Sequence, residues 1–194
     1  LGTSDNQPLE LKVNGLRALR LEPNALSPNL IGGDSANVVS NGYRGAVIGG
    51  GGYLDFPNRV GRDFATVVGG LGNTASGNAS TAMGEVTTAS GYASTAMGYA
   101  STASGQYSTA MGQSTLSSGE NSTATGNDTT ASGYASTAMG SGTAASGLAS
   151  TAMGLSSSAT NAYTLAAGRR AKASHQGAFV WAASPDANFA SSGN

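Results

Sequence analysis

Few residues in this chain are of a type that does acid–base, redox or metal chemistry. The single histidine, His175, stands near Arg169, Arg170 and Lys172 rather than near a carboxylate. A lone imidazole without an acidic partner at short range makes a poor general base or metal ligand, so a packing or capping role is expected for it. The chain has ten carboxylates, running from Asp5 to Asp186, and only Glu85, Glu120 and Asp128 fall in its regular central part. That spread suggests neither a glycosidase-like pair nor a Ser-His-Asp arrangement. Cysteine is absent, which removes thiolate nucleophiles, thiolate metal sites and disulfides. The run Gly49 to Gly52 lacks the lysine and following helix of a phosphate loop and reads as a turn or bulge. The basic triplet reads as a solvated face before it reads as an anion or polysaccharide site. Sequons at Asn78, Asn121 and Asn127 matter only in a eukaryotic secretory setting. No catalytic residue, cofactor or metal ligand is expected, and the chain is not read as an enzyme.

What varies chemically is a set of turn positions. Tyr92, Tyr99 and Tyr134 each follow a glycine, as do Asn78, Gln106 and Asn127. Tyr92, Tyr99, Gln106 and Tyr134 are the candidate ligand-facing residues, weighed against plain solvated turn decoration.

The elements that carry these turns come from a repeat. The 194 residues include 30 glycines, with only 10% charged and 6% aromatic residues. A net charge of −1 and a pI near 5.7 give no electrostatic reason to expect nucleic acid or an anionic membrane as partner. No apolar run approaches the ~20 residues of a membrane helix, so no direct membrane insertion is expected. The chain starts at Leu1 without an initiator Met and is read as part of something longer. Glycines recur every seven residues from Gly70 to Gly154, skip Asn161 and resume at Gly168. Asn161 is expected to keep the left-handed backbone of the glycines it replaces.

The true period is fourteen. Ser-Thr-Ala-Met precedes alternate glycines, as at Ser80 to Met83, Ser94 to Met97 and Ser108 to Met111, while Thr-Ala-Ser precedes the others, as at Thr88 to Ser90. All five methionines share one register, with Thr125 as the exception. A coiled coil fails on the glycines, each costing ~1 kcal/mol in a helix, and on the lack of large apolar pairs. Two short strands per fourteen residues make one coil of a narrow β-solenoid. Such a coil has almost no interior width, so Ala82, Ala96, Ala110, Ala124, Ala138 and Ala152 should face inward, opposed by Ala89, Ala103, Ala131 and Ala145. Thr81, Met83, Met97, Met111, Met139 and Met153 then stack outside as an apolar stripe that needs cover. Three chains around a common axis are the simplest cover, which makes these residues the expected trimer interface.

This repeat resembles the YadA-like head repeat of trimeric autotransporter adhesins over about residues 62–170. That family's coils pair an Ala, an apolar residue and a Gly in one strand with a Ser/Ala-x-Gly turn in the other. The resemblance implies an all-β fold, a left-handed parallel β-roll assembled as a side-by-side homotrimer and displayed on a cell surface. Thr-Ala-Met stands here where Val-Ala-Ile is commoner, making the implied seam less bulky.

Residues 1–27 are expected to form an N-terminal β-hairpin cap, with Asn14-Gly15 at its turn. Residues 28–69 read as irregular coils around Leu30-Ile31-Gly32, Ala46-Val47-Ile48 and Thr66-Val67-Val68, with an inserted loop at about 52–63. Residues 70–168 are the regular roll. Residues 169–194 read as a C-terminal cap leading to a missing downstream segment, with Phe179, Trp181 and Phe189 covering the open edge of the last rung. This ending resembles segments of bacterial and phage surface fibres.

The leading functional expectation is a non-enzymatic structural and adhesive head or stalk of a trimeric surface fibre. It would sit on the cell surface or a virion fibre and bind a host-surface protein or polysaccharide through many weak contacts. The alternatives are an ice-binding solenoid using a Thr/Ser ladder, interrupted by Leu116 and Ala144, and a passive spacer in a phage tail fibre.

Overall fold

The computed structural model describes residues 2–183 and 189–190, with the backbone alone at Phe189. All regular structure among the described residues is strand. The chain divides into two compact units, Leu1–Tyr99 and Ala100–Asn194. Each is a parallel β-solenoid whose regular coils hold two short strands, one in each of two sheets.

The first unit opens with a hairpin of strands β1 (Leu9–Val13) and β2 (Leu16–Glu22). Asn14 and Gly15 both have positive φ, 51° and 77°, which matches the twist that a tight hairpin turn needs. Strand β2 pairs antiparallel with β3 (Asn29–Gly32), and from β3 onward every pairing is parallel. The Arg17 guanidinium donates to the carbonyls of Asp34 (2.9 Å) and Asn37 (3.2 Å), tying the hairpin to the first coil. Arg20 pairs with Glu22 at 3.0 Å. Leu30, Val47, Thr66, Thr81 and Thr95 stack in register, so coil length falls from 17 and 19 residues to 15 and then 14. Interior side chains shrink with it: Ile31, Ile48 and Val67 give way to Ala82 and Ala96 in the same column.

The excursion in this unit is shorter than the 52–63 insertion read from Pro57 and its charged neighbours. Tyr53 and Phe56 bond each other's backbone in a tight turn, whereas Asn58 is fully buried and Arg59–Val60 is a strand of the second sheet. The strand begins two residues after Pro57, where proline's missing N–H removes no ladder hydrogen bond.

The second unit repeats one coil six times with little variation. Thr109–Gln113, Thr123–Asn127, Thr137–Ser141, Thr151–Leu155, Leu165–Arg169 and Phe179–Ala182 form one sheet. Thr102–Ala103, Leu116–Ser117, Thr130–Ala131, Ala144–Ala145, Ser158–Ala159, Ala171–Ala173 and Phe189–Ala190 form the other. Ala110, Ala124, Ala138 and Ala152 from one sheet and Ala103, Ala131 and Ala145 from the other are all fully buried, as are Ala82, Ala89 and Ala96 in the first unit. The short fourteen-residue coil fixes this choice, because its facing strands leave room for only a methyl at these positions. Two such methyls per coil contribute about 1 kcal/mol each, so larger apolar burial has to come from the outer faces.

Backbone ladders stack the corners as well as the strands. In the second unit the residue two after alternate glycines donates its N–H to the preceding coil: Asn121 to Gln106 O (2.9 Å), Ala135 to Glu120 O (2.8 Å) and Ala149 to Tyr134 O (2.8 Å). These three residues, with Tyr107 and Tyr163, hold φ between 48 and 59°. A non-glycine residue costs roughly 1–2 kcal/mol in that region, and the corner hydrogen bond offsets it.

The repeat glycines divide into two sets: Gly112, Gly126, Gly140 and Gly154 have the expected positive φ, between 103 and 131°, and the alternate ones do not. Gly119, Gly133 and Gly147 do not have positive φ; a Cβ on Gly133 would lie 2.0 Å from the carbonyl oxygen of Gly147 in the next coil. They are glycines because consecutive coils approach too closely for a side chain. Asn161 continues that series and is likewise absent from the left-handed residues, so the expectation that it keeps a left-handed glycine geometry is corrected. Its amide donates to Ser174 O instead.

Candidate functional site

The face that the repeat leaves outside is flat and apolar. Strand alternation turns Thr and Met of each Ser-Thr-Ala-Met outward while Ser and Ala turn in. In the first unit Thr81 pairs in register with Thr95 and Met83 with Met97. In the second, Met111, Thr125, Met139 and Met153 share one column, with Thr109, Thr123, Thr137 and Thr151 beside it. Met111 and Met139 keep 38% and 40% of their surface accessible, and Thr81, Met83, Met97 and Met153 are half-buried. The columns end on Ala167 and then Trp181, and on Leu165 and then Phe179. Phe179 and Trp181 are 69% and 66% exposed, so they point out of this face instead of covering the open end of the last rung. Val180 between them takes the inward alanine register. The side chain of Phe189 lies outside the described residues.

The second sheet presents hydroxyls. Thr74 and Thr88 stack in the first unit. In the second unit Thr102, Leu116, Thr130, Ala144, Ser158 and Lys172 share a column, so apolar and charged residues interrupt the hydroxyls.

The candidate ligand-facing residues do not share one edge of their coils. Tyr92, Gln106 and Tyr134 are exposed in the turns that enter first-sheet strands, whereas Tyr99 ends the strand Thr95–Tyr99 at the other side of its coil. Tyr107 and Tyr163 are also exposed, 52% and 59%, at left-handed corner positions. Sequence reading passed over these two because it followed the residue directly after each glycine.

Other residues with chemical potential are dispersed. Among the described residues no three of His, Asp or Glu converge as a metal site would require. Gly49 and Gly51 are glycines for packing: a Cβ on either would meet the next coil's carbonyl oxygens at 2.3 and 2.2 Å. The Gly52 N–H is already donated to Gly70 O. Arg44 pairs with Asp63 at 3.5 Å and stacks over Phe64, a structural use of its charge.

Sequence reading also missed a buried polar column. Asn37, Asn58 and Asn73 follow one another inside the first unit, each Oδ1 accepting the backbone N–H of the next coil's residue at 2.8–3.0 Å. Each Nδ2 donates to two carbonyls, as Asn73 does to Gly69 (2.9 Å) and Gly84 (2.7 Å). Thr87 closes this run by donating its hydroxyl to Asn73 Oδ1 at 2.7 Å. Irregular coil lengths hid the column, since Asn37, Asn58 and Asn73 have no common spacing.

The class of molecule is thus a β-solenoid whose regular coils offer repetitive surfaces. Its repeat belongs to a known type: residues 89–115, 117–143 and 145–171 match the YadA head domain repeat, so the chain contains a YadA-like head domain. Such heads are structural modules of adhesins rather than enzymes, and they form homotrimers on cell surfaces. No curated protein matches the chain significantly.

Proposed function

We propose that this chain is a head or stalk module of a trimeric surface fibre. In this reading three copies associate side by side through Thr81, Met83, Met97, Met111, Met139 and Met153, and the assembly is displayed on a cell surface or a virion fibre. The observation that carries the reading is the pairing of a small-residue interior, chiefly Ala, Ser and Thr in the regular coils, with an outward, in-register Thr/Met face. The apolar side chains that a regular coil buries are alanines, while its methionines sit where another chain would cover them. Attachment comes from many weak contacts at the turns, with Tyr92, Tyr99, Gln106 and Tyr134 as the contact residues and a host-surface protein or polysaccharide as the partner class. Three chains per fibre multiply a weak contact without any deep pocket. No catalysis is assigned to it.

The test compares the wild-type chain with Met97→Asp on arrays of matrix proteins and polysaccharides. A binder that captures wild type and loses Met97→Asp supports multivalent attachment. Equal capture of both removes the role of assembly, and capture of nothing leaves a passive spacer. The interrupted hydroxyl columns of the second sheet keep ice binding as the one rival surface, and thermal hysteresis in the wild-type protein would favour it.

A further inference from the structure

We infer that Phe179 and Trp181 form an aromatic clasp between copies of this chain at the last coil of the Thr/Met face; this rests on the reading of that face as the seam between chains. The two residues lie one apart on a single strand, both outward and both about two-thirds exposed. Phe179 continues the column Thr137, Thr151, Leu165, and Trp181 continues the column Met139, Met153, Ala167. Within the second unit these eight positions carry no charge, so the face presents nothing that a copy of itself would repel. Both columns end on large aromatic side chains, Phe179 after Leu165 and Trp181 after Ala167.

Phe and Trp each bury roughly 150–250 Å² when covered, more than the Thr, Met and Ala residues that occupy most of these columns. An adjacent exposed pair of this size is the kind of patch that marks an interaction site. Continuity settles the occupant. A chain whose Met columns face a neighbour's Met columns places its last rung against the neighbour's last rung, which brings copies of Trp181 and Phe179 together. The aromatic pair would act as the strongest single contact of an otherwise shallow seam, because a few large buried side chains dominate most interfaces.

Trp181 is the only tryptophan in the chain, so its emission reports this contact directly. The experiment measures mass by light scattering together with emission wavelength and acrylamide quenching, on wild type and on Met139→Asp. Met139 is outward and three coils away, so its substitution separates chains without touching the aromatic pair or the alanine interior. The expected result is a trimeric wild type with blue-shifted emission and several-fold weaker quenching than the unfolded chain. Met139→Asp should then be monomeric, with unchanged circular dichroism, red-shifted emission and full quenching. A trimer with exposed tryptophan would overturn the clasp and leave the seam standing. Blue-shifted emission that persists in a monomer would also overturn it, since the chain would be covering its own indole. A monomeric wild type would overturn the seam reading and the clasp with it.

Discussion

Replacing Ala138 by Leu tests the interior at its tightest point. Ala138 is fully buried, stacked in register between Ala124 and Ala152, with Ala131 and Ala145 buried on the opposing sheet. Rungs of a parallel sheet repeat at about 4.8 Å, so the methyls above and below already stand close to contact and the opposite wall is equally near. Leucine adds three carbons with nowhere to go except by forcing the sheets apart. Overpacking usually costs ~1–3 kcal/mol, and the absence of any flexible neighbour puts this site at the upper end, about 3 kcal/mol. Met139→Leu, one residue along, changes an outward side chain and should alter the stability of an isolated chain by under about 0.5 kcal/mol. Solenoids unfold coil by coil, so the assay is amide hydrogen exchange resolved along the chain, with thermal melting as the global reading. Protection should fall across the strands from Thr123 to Leu155 in Ala138→Leu and stay unchanged in Met139→Leu before assembly. Equal and small effects at both positions would refute the assignment of faces.

Gly133→Ala places a Cβ 2.0 Å from Gly147 O, and thermal melting should show a loss larger than the ~1 kcal/mol helix-type gain or cost of a free glycine position. A neutral result would mean the coils are not stacked this closely. Asn73→Ala removes four side-chain hydrogen bonds and orphans the buried Thr87 N–H; denaturation should report a loss of about 3 kcal/mol, with exchange accelerating first at Thr87. Thr129→Val should be neutral or stabilising by up to about 1 kcal/mol, because the Thr129 hydroxyl is buried without a hydrogen-bond partner. Thr125→Met fills the one gap in the methionine column and should shift the assembly equilibrium toward the associated state, read by sedimentation; weaker association would contradict the seam.

The regular coils were legible because one physical constraint acts on every residue in them. A coil two walls wide admits only small side chains inside, so the alternation in Ser-Thr-Ala-Met assigns Ser80 and Ala82 inward and Thr81 and Met83 outward from the sequence alone. The YadA head repeat matches most of these coils, at residues 89–115, 117–143 and 145–171. Legibility failed where geometry depends on the neighbouring coil. Glycine spacing suggested left-handed backbone at every repeat glycine; Gly126, Gly140 and Gly154 have it, but beside Gly133 and Gly147 it falls on Ala135 and Ala149, set by hydrogen bonds across coils, while Gly133 and Gly147 answer to a carbonyl one rung away. The Asn37, Asn58 and Asn73 column was hidden because registers, not intervals, bring them together. Phe179 and Trp181 looked like an end cover since size alone was visible; their register with Leu165 and Ala167 turns them outward. The turn residues were placed by their glycines, but the division of Tyr92 and Tyr99 between opposite corners of the coil required the fold.

The central claim is that the Thr/Met face is a seam between chains, and sedimentation equilibrium over a wide concentration range tests it most directly. The account predicts a single species at three times the 18.9 kDa of one chain, dissociating on dilution only together with Met97→Asp-sensitive contacts. A folded protein that stays at 18.9 kDa at every concentration would leave the methionine columns bare and contradict the account.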